Sequence, residues 1–296
     1  MKAASRKRHL KPRSIVRSMR FLGRVVDYCR ALGPMLGLRW YFARILARLP
    51  GRAMRLAVIK PPHLVHPVAV RMNPSSDEHV FDQLFVRHEY ALVSDRLKDQ
   101  KVILDLGANV GYASAYFASR YPDARILAVE PDPGNYQLCL KNLEPYGDRV
   151  TTLNGAVWSR CARLALSRGS SCDGREWSTQ VVAAATESQA DVDAWDMPTL
   201  LDFAHVKTVD LVKVDIEGSE AELFAANVSQ WLPRVRNICI ELHSKRCSEI
   251  FFNALAEFEY EVDECHEFTL CLNLRPRAQK ADRLRSAFTG LPVHGW

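Results

Sequence analysis

Asp105-Leu-Gly-Ala-Asn-Val-Gly111 stands at the end of the apolar run Val102 to Leu106, and Glu130 closes a second run, Arg125-Ile-Leu-Ala-Val-Glu130. A carboxylate, two glycines and an asparagine at the end of a buried strand are groups that can hold a nucleoside. Gly107 and Gly111 make a tight turn that lets a ligand approach the backbone and a helix start close to the sheet. The Glu130 carboxylate is placed to accept both hydroxyls of a ribose.

Charge selects the nucleoside. A dinucleotide site has three glycines, and its helix N-terminus receives a pyrophosphate. Here Asn109 replaces the middle glycine, and Asp105 is expected at the mouth of the turn, where it would repel a diphosphate. A carboxylate there suits S-adenosylmethionine, which carries an ammonium and a sulfonium and no phosphate. The expectation is methyl transfer, with a nicotinamide or flavin enzyme as the alternative. On this reading Asp105, Gly107, Asn109 and Gly111 face the methionine end. Glu130 takes the ribose, Pro131 and Asp132 line the adenine, and Asn154 and Ala156 hold its edge. Asn154 reads equally as a strand-end turn residue.

Ligands in an open α/β sheet sit beyond the carboxyl ends of its strands. Two further strand ends carry Asp215 and Glu217, and Glu241 and His243. Methyl transfer to an alcohol needs the acceptor held at near-attack distance and its proton removed. Asp215 is the first candidate base and His243 the second, with Glu217 beside them. Asp215, Glu241 and His243 also form an oxygen-rich set for Mg²⁺ or Mn²⁺, which would lower the pKa of the acceptor hydroxyl. The plain alternatives are a hydrogen-bonded strand-end histidine and acids that favour a helix start: Glu217 and Glu220 near Ser219, and a capping box Ser219-x-x-Glu222.

These residues need a scaffold of alternating elements. Strands are expected at 102–106, 125–130, 150–157, 210–215 and 237–243, with a last antiparallel strand at 266–274. Helices are expected at 111–120, from about 133, at 219–226 and at 248–258. Asp132 is the N-cap of the second helix and Pro133 its first residue. The order predicts an α/β, doubly wound parallel sheet, interrupted by a polar hairpin or loops at 158–190. Ser75-Ser-Asp-Glu78 resembles a capping box before a helix that closes over the cofactor, with His79 and His88 on its solvated side.

The chain has 296 residues, 48% hydrophobic and 25% charged, with a net charge of +6. Residues 1–60 hold 16 Lys or Arg and one acid, Asp27, whereas 61–296 hold 24 basic and 33 acidic residues. Four segments follow: a basic, partly helical extension (1–60), a helical cap (61–100), the catalytic domain (101–275) and a basic tail (276–296). Residues 1–13 read as disordered. In 14–55, Trp40, Tyr41, Ile45, Leu46 and Leu49 alternate with Arg39, Arg44, Arg48 and Arg52. This pattern suits contact with a membrane surface or partner, or a cap with solvated arginines. No stretch approaches a membrane span or a secretory leader. The eight cysteines lack C-x-x-C spacing, so reduced thiols are expected; Cys161 and Cys172 flank a loop and could pair. The expected location is cytoplasmic, with peripheral membrane contact as an extension of that reading.

Asp105-Leu-Gly-Ala-Asn-Val-Gly111, Glu130-Pro131, Val209-Asp-Leu-Val-Lys-Val-Asp-Ile-Glu-Gly-Ser-Glu220 and Ile240-Glu-Leu-His243 together resemble the FkbM family of S-adenosylmethionine-dependent methyltransferases. Val192-Asp-Ala-Trp-Asp-Met-Pro-Thr-Leu-Leu201 resembles the same family. The likeness covers about residues 78–265. It implies a seven-stranded Rossmann-like sheet of the class I kind and O-methylation of small molecules, sugars or glycolipids. Competing readings are a nucleic-acid methyltransferase, suggested by the basic front, and a non-catalytic cofactor-binding scaffold docked to a membrane or partner. No specific nucleic acid is expected, because the body is acidic. The acceptor pocket is expected from residues 60–100 and 158–190.

Overall fold

The basic front folds as two helices. The computed structural model describes residues 13–49, 56–168, 179–183 and 191–277, and in it α1 (Arg13–Leu32) and α2 (Pro34–Ala47) pack closely. A Cβ on Gly37 would stand 2.5 Å from the Tyr28 backbone, so only glycine permits this approach. A hairpin follows, β1 (Leu56–Ile59) with β2 (Val68–Arg71), and then α3 (Asp77–Phe85) and α4 (Ala91–Arg96). The boundary expected at residue 60 therefore falls inside a hairpin.

Two sequence readings change here. The N-cap of α3 is Ser76, one residue after the expected Ser75, and it makes no capping bond through its side chain, while the Ser75 hydroxyl accepts from the Asp77 amide at 3.2 Å. The acids behind it anchor the preceding chain instead. Asp77 accepts from the Arg71 backbone and guanidinium, and Glu78 accepts from the Asn73 amide at 2.8 Å. Arg44, expected in solvent, is 7% exposed. Its Nε bonds Glu78 at 2.7 Å and its Nη1 pairs with Asp82. A cation removed from water needs such partners.

The body alternates as expected: β3 (Val102–Leu106), α5 (Tyr112–Arg120), β4 (Arg125–Glu130), α6 (Pro133–Leu143) and β5 (Val150–Asn154). Asp132 caps α6 by accepting from the Gly134 and Asn135 amides. Next come β6 (Ala156–Val157), β7 (Ala162–Arg168), β8 (Thr179–Ala183), β9 (Val192–Trp195) and α7 (Met197–Phe203). The chain closes with β10 (Leu211–Val214), α8 (Glu220–Ala225), α9 (Val228–Trp231), β11 (Ile238–Glu241), α10 (Lys245–Ala254), β12 (Phe258–Cys265) and β13 (Phe268–Pro276).

Seven strands form the main sheet in the order β12-β13-β11-β10-β3-β4-β5. The five from β11 to β5 are parallel, and β13 runs antiparallel between β11 and β12. Side chains alternate across it: Ile103 joins the core beneath α3 and α5, and Leu104 the core beneath α7, α8 and α10. Helices thus cover both faces of a Rossmann-like, doubly wound sheet.

The expected strand 150–157 divides at Gly155. Its last two residues pair with β9 in a second sheet, β6-β9-β7-β8, which carries the expected β7–β8 hairpin. The helix expected at 248–258 is α10, started by Ser244, whose hydroxyl accepts from the Cys247 amide. Phe258 instead begins β12, where Phe258, Tyr260 and Val262 alternate with acids at the period of a strand. Of the expected tails, residues 1–12 and 278–296 lie outside the described residues, as does Cys172, and the described cysteines are free. Among the described residues, no helix is long and apolar enough to cross a membrane.

Candidate active site

Two strand ends meet at Gly107. A Cβ there would lie 1.8 Å from the Asp215 carbonyl oxygen, and φ is +77°. Only glycine lets the β3 turn pass under the chain leaving β10. Asn109 also takes a left-handed backbone, φ 50°, and its amide donates to Glu130 Oε2 at 2.8 Å. Glu130 Oε1 accepts from the Asp132 amide at 3.0 Å. The two strand-end loops are thereby locked together. Asn109 Oδ1 is buried and has no hydrogen-bond partner among the described residues.

Lys213 was missed by sequence reasoning, although a lysine inside Leu211-Val-Lys-Val214 signals a paired buried charge. Its Nζ donates to the Gly107 carbonyl at 2.7 Å and lies 3.2 Å from Asp105 and 3.6 Å from Asp215. Burial works against its charge, but Asp105 and Asp215 outweigh that and raise its pKa. Asp105 is 0% exposed and accepts from the Ser114 hydroxyl at 2.6 Å. It lies beneath the turn, not at its mouth, and supports the site through Lys213.

Two adjoining cavities open above this floor. A narrow cleft is lined by Gly107, Asn109, Glu130, Pro131, Ala156 and Val181, among others. A cavity of about 400 Å³ is walled by His79, Gln83, Tyr90, Lys213, Glu241 and His243, among others. Gly107, Asn109, Asp215 and Glu217 border both. Gly107, Asn109, Glu130, Pro131 and Ala156 therefore face the cleft. Asp105, Gly111, Asp132 and Asn154 border neither cavity. Gly111 caps α5 and Asp132 caps α6. Exposed Asn154 donates to the Glu130 carbonyl at 2.8 Å as a strand-end turn residue. Residues 60–100 supply one wall of the larger cavity, and His79 lines it instead of lying in solvent. The insertion contributes Val181 to the narrow cleft.

His243 gathers the acids. Its Nδ1 is 2.9 Å from Glu220 Oε1, while Nε2 lies 3.4 Å from Glu241, 3.6 Å from Glu217 and 3.8 Å from Asp215. Burial opposes the imidazolium, but the Glu220 bond and the surrounding charges prevail and lift its pKa to about 9. Burial, reinforced by the Asp215 charge, pushes Glu217 up to about 7 and Glu241 to about 8. The capping box at Ser219 does not form through its side chain. Glu220 instead accepts from the Ile216 and Gly218 amides, and Glu222 pairs with Arg246. Asp215, Glu241 and His243 each offer a ligand atom within 4.8 Å of the others. An imidazole among carboxylates suits Mn²⁺ or Zn²⁺ better than Mg²⁺, which prefers oxygen and water.

A glycine turn on β3, a carboxylate on β4 and a polar cavity at the next strand ends define a methyltransferase of the Rossmann-like class. The model of the methyltransferase FkbM domain matches residues 105–270, and the chain belongs to that family. It is 25% identical over 215 residues to Methyltransferase 1 of Beauveria bassiana, a match covering 63% of this chain and 83% of that protein. It is 26% identical over 193 residues to Methyltransferase sdnD of Sordaria araneosa, covering 55% and 74%. It is 26% identical over 172 residues to 2-O-methyltransferase NoeI of Sinorhizobium fredii, covering 53% and 70%.

Proposed function

We propose that the chain transfers a methyl group from S-adenosylmethionine to a hydroxyl of a small molecule or glycan. The observation that carries this reading is that Asp215 borders both cavities, where a donor in one and an acceptor in the other would meet. The narrow cleft suits adenosine, with Glu130 for the ribose and Ala156 and Val181 against the base. The orphan Asn109 Oδ1 suits a donor on the ligand. The larger cavity suits the acceptor. Bound in the narrow cleft, S-adenosylmethionine would supply a methyl carbon already activated by a sulfonium. Asp215 takes the proton from the acceptor hydroxyl, while Lys213 and His243 hold that carboxylate between two cations. His243 is the weaker candidate base, since Nδ1 is tied to Glu220 and the ring is charged. A divalent cation held by Asp215, Glu241 and Nε2 of His243 would displace that ring proton and lower the hydroxyl's pKa. The name of the Sinorhizobium relative, a 2-O-methyltransferase, agrees with oxygen as the acceptor.

Incubation with methyl-labelled cofactor and a panel of sugars, polyketide-type alcohols and RNA tests this. A methyl ether on one of the alcohols is expected. Label found only in RNA, or bound cofactor with no transfer to any alcohol, would contradict it.

Glu130 makes affinity depend on pH. Burial raises its pKa to about 7, against hydrogen bonds from Asp132, Asn109 and Asn135. Ribose hydroxyls donate to the ionised form, so binding should strengthen as pH climbs through that value and level off above it. Glu130→Gln should bind about tenfold more weakly and lose this dependence. A wild-type affinity that is flat across neutral pH would remove Glu130 from the ribose.

A further inference from the structure

The outer face of α2 is apolar from end to end. At 3.6 residues per turn, Met35, Leu38, Phe42, Ile45 and Leu46 share one arc of α2, and Leu49 follows just past its end. All six are exposed, Met35 at 78% and Phe42 at 54%. The helix cannot roll to hide them, because its other face is fixed. Trp40 stacks on Phe81 with ring centroids 4.5 Å apart and donates from Nε1 to Asp82 at 3.1 Å. Arg44 is held by Glu78 and Asp82. A contiguous exposed apolar stripe of this kind marks a surface that meets something apolar.

The surrounding charge indicates what that is. Residues 1–60 carry 16 basic residues and one acid, and Arg24, Arg30 and Arg39 are exposed on the two helices. We propose that α2 docks this face on an anionic lipid surface, its apolar side chains entering the interface while the arginines meet the headgroups. A second copy is disfavoured as occupant, since an isologous contact would bring two strongly basic fronts together. The geometry gives the docking a consequence. On α3, Glu78, Phe81 and Asp82 grip α2, whereas His79, Val80, Gln83 and Leu84, on the opposite face, line the larger cavity. That cavity therefore lies one helix away from the docked surface.

Flotation of the full chain with vesicles tests it. Vesicles of phosphatidylcholine with about 30% phosphatidylglycerol should carry the protein upward. Pure phosphatidylcholine should bind about tenfold less, and high salt should weaken binding to the mixed vesicles. The double variant Leu38→Ser, Phe42→Ser should lose about tenfold or more of its binding to the mixed vesicles. Its melting temperature should stay at the wild-type value, because both side chains are exposed. Wild-type protein that does not float with the mixed vesicles would overturn the proposal, as would a double variant that floats equally well. A wild-type dimer that the same two substitutions dissociate would also overturn it, by assigning the face to a second copy.

Discussion

Gly107→Ala should abolish measurable binding of S-adenosylmethionine. The added Cβ would sit 1.8 Å from the Asp215 carbonyl oxygen. This neighbour is backbone, so no rotamer change relieves the overlap. The left-handed φ of 77° adds strain for any residue with a Cβ. Relief requires the β3 turn and the chain after β10 to separate. That movement breaks the Lys213 bond to the Gly107 carbonyl, shifts Asn109 from Glu130 and displaces Asp215. The expected cost is about 2–4 kcal/mol of stability and at least about a hundredfold in affinity. Thermal melting and calorimetry check the two separately. A folded variant with wild-type affinity would show that this turn does not touch the cofactor.

Asp215→Asn should separate chemistry from binding. The substitution keeps the shape of the side chain and removes its ability to take a proton. Turnover should fall by about 10²–10⁴, while cofactor affinity changes by less than about threefold, since Glu130 and the Gly107 turn are untouched. Lys213 keeps Asp105 as its counter-charge, 3.2 Å away, so the fold should tolerate the change. Single-turnover kinetics beside a cofactor titration would measure both effects. Wild-type turnover would move proton removal to another group of the cluster, with His243 the first to examine.

Much of the sheet was legible because buried parallel strands are short apolar runs ending in polar residues. Val102 to Leu106 and Arg125 to Glu130 match β3 and β4 residue for residue. The split at Gly155 was hidden, because the same apolar pattern continues into a second sheet. The strand at Phe258 was hidden by its proximity to α10, although its apolar–acidic alternation was available to read. Hydrogen bonding also changed several roles. Asp105 has the expected sequence position, yet Lys213 claims its carboxylate; Asp132 caps α6 as expected, and that bond keeps it out of the cleft lining. Ser75 and Ser219 stand where capping boxes would place them, but the box acids Glu78 and Glu222 serve distant partners instead. In α2 the arginines read as one solvated row, and nothing local marked Arg44 as the one that Glu78 and Asp82 draw inward.

The most direct test of the account is calorimetric titration of the purified chain with S-adenosylmethionine and S-adenosylhomocysteine, with NAD as the control. Saturable one-to-one binding of both adenosyl ligands is expected, with no heat from NAD. Binding of NAD, or a folded protein that takes neither adenosyl ligand, would contradict the assignment of the cleft.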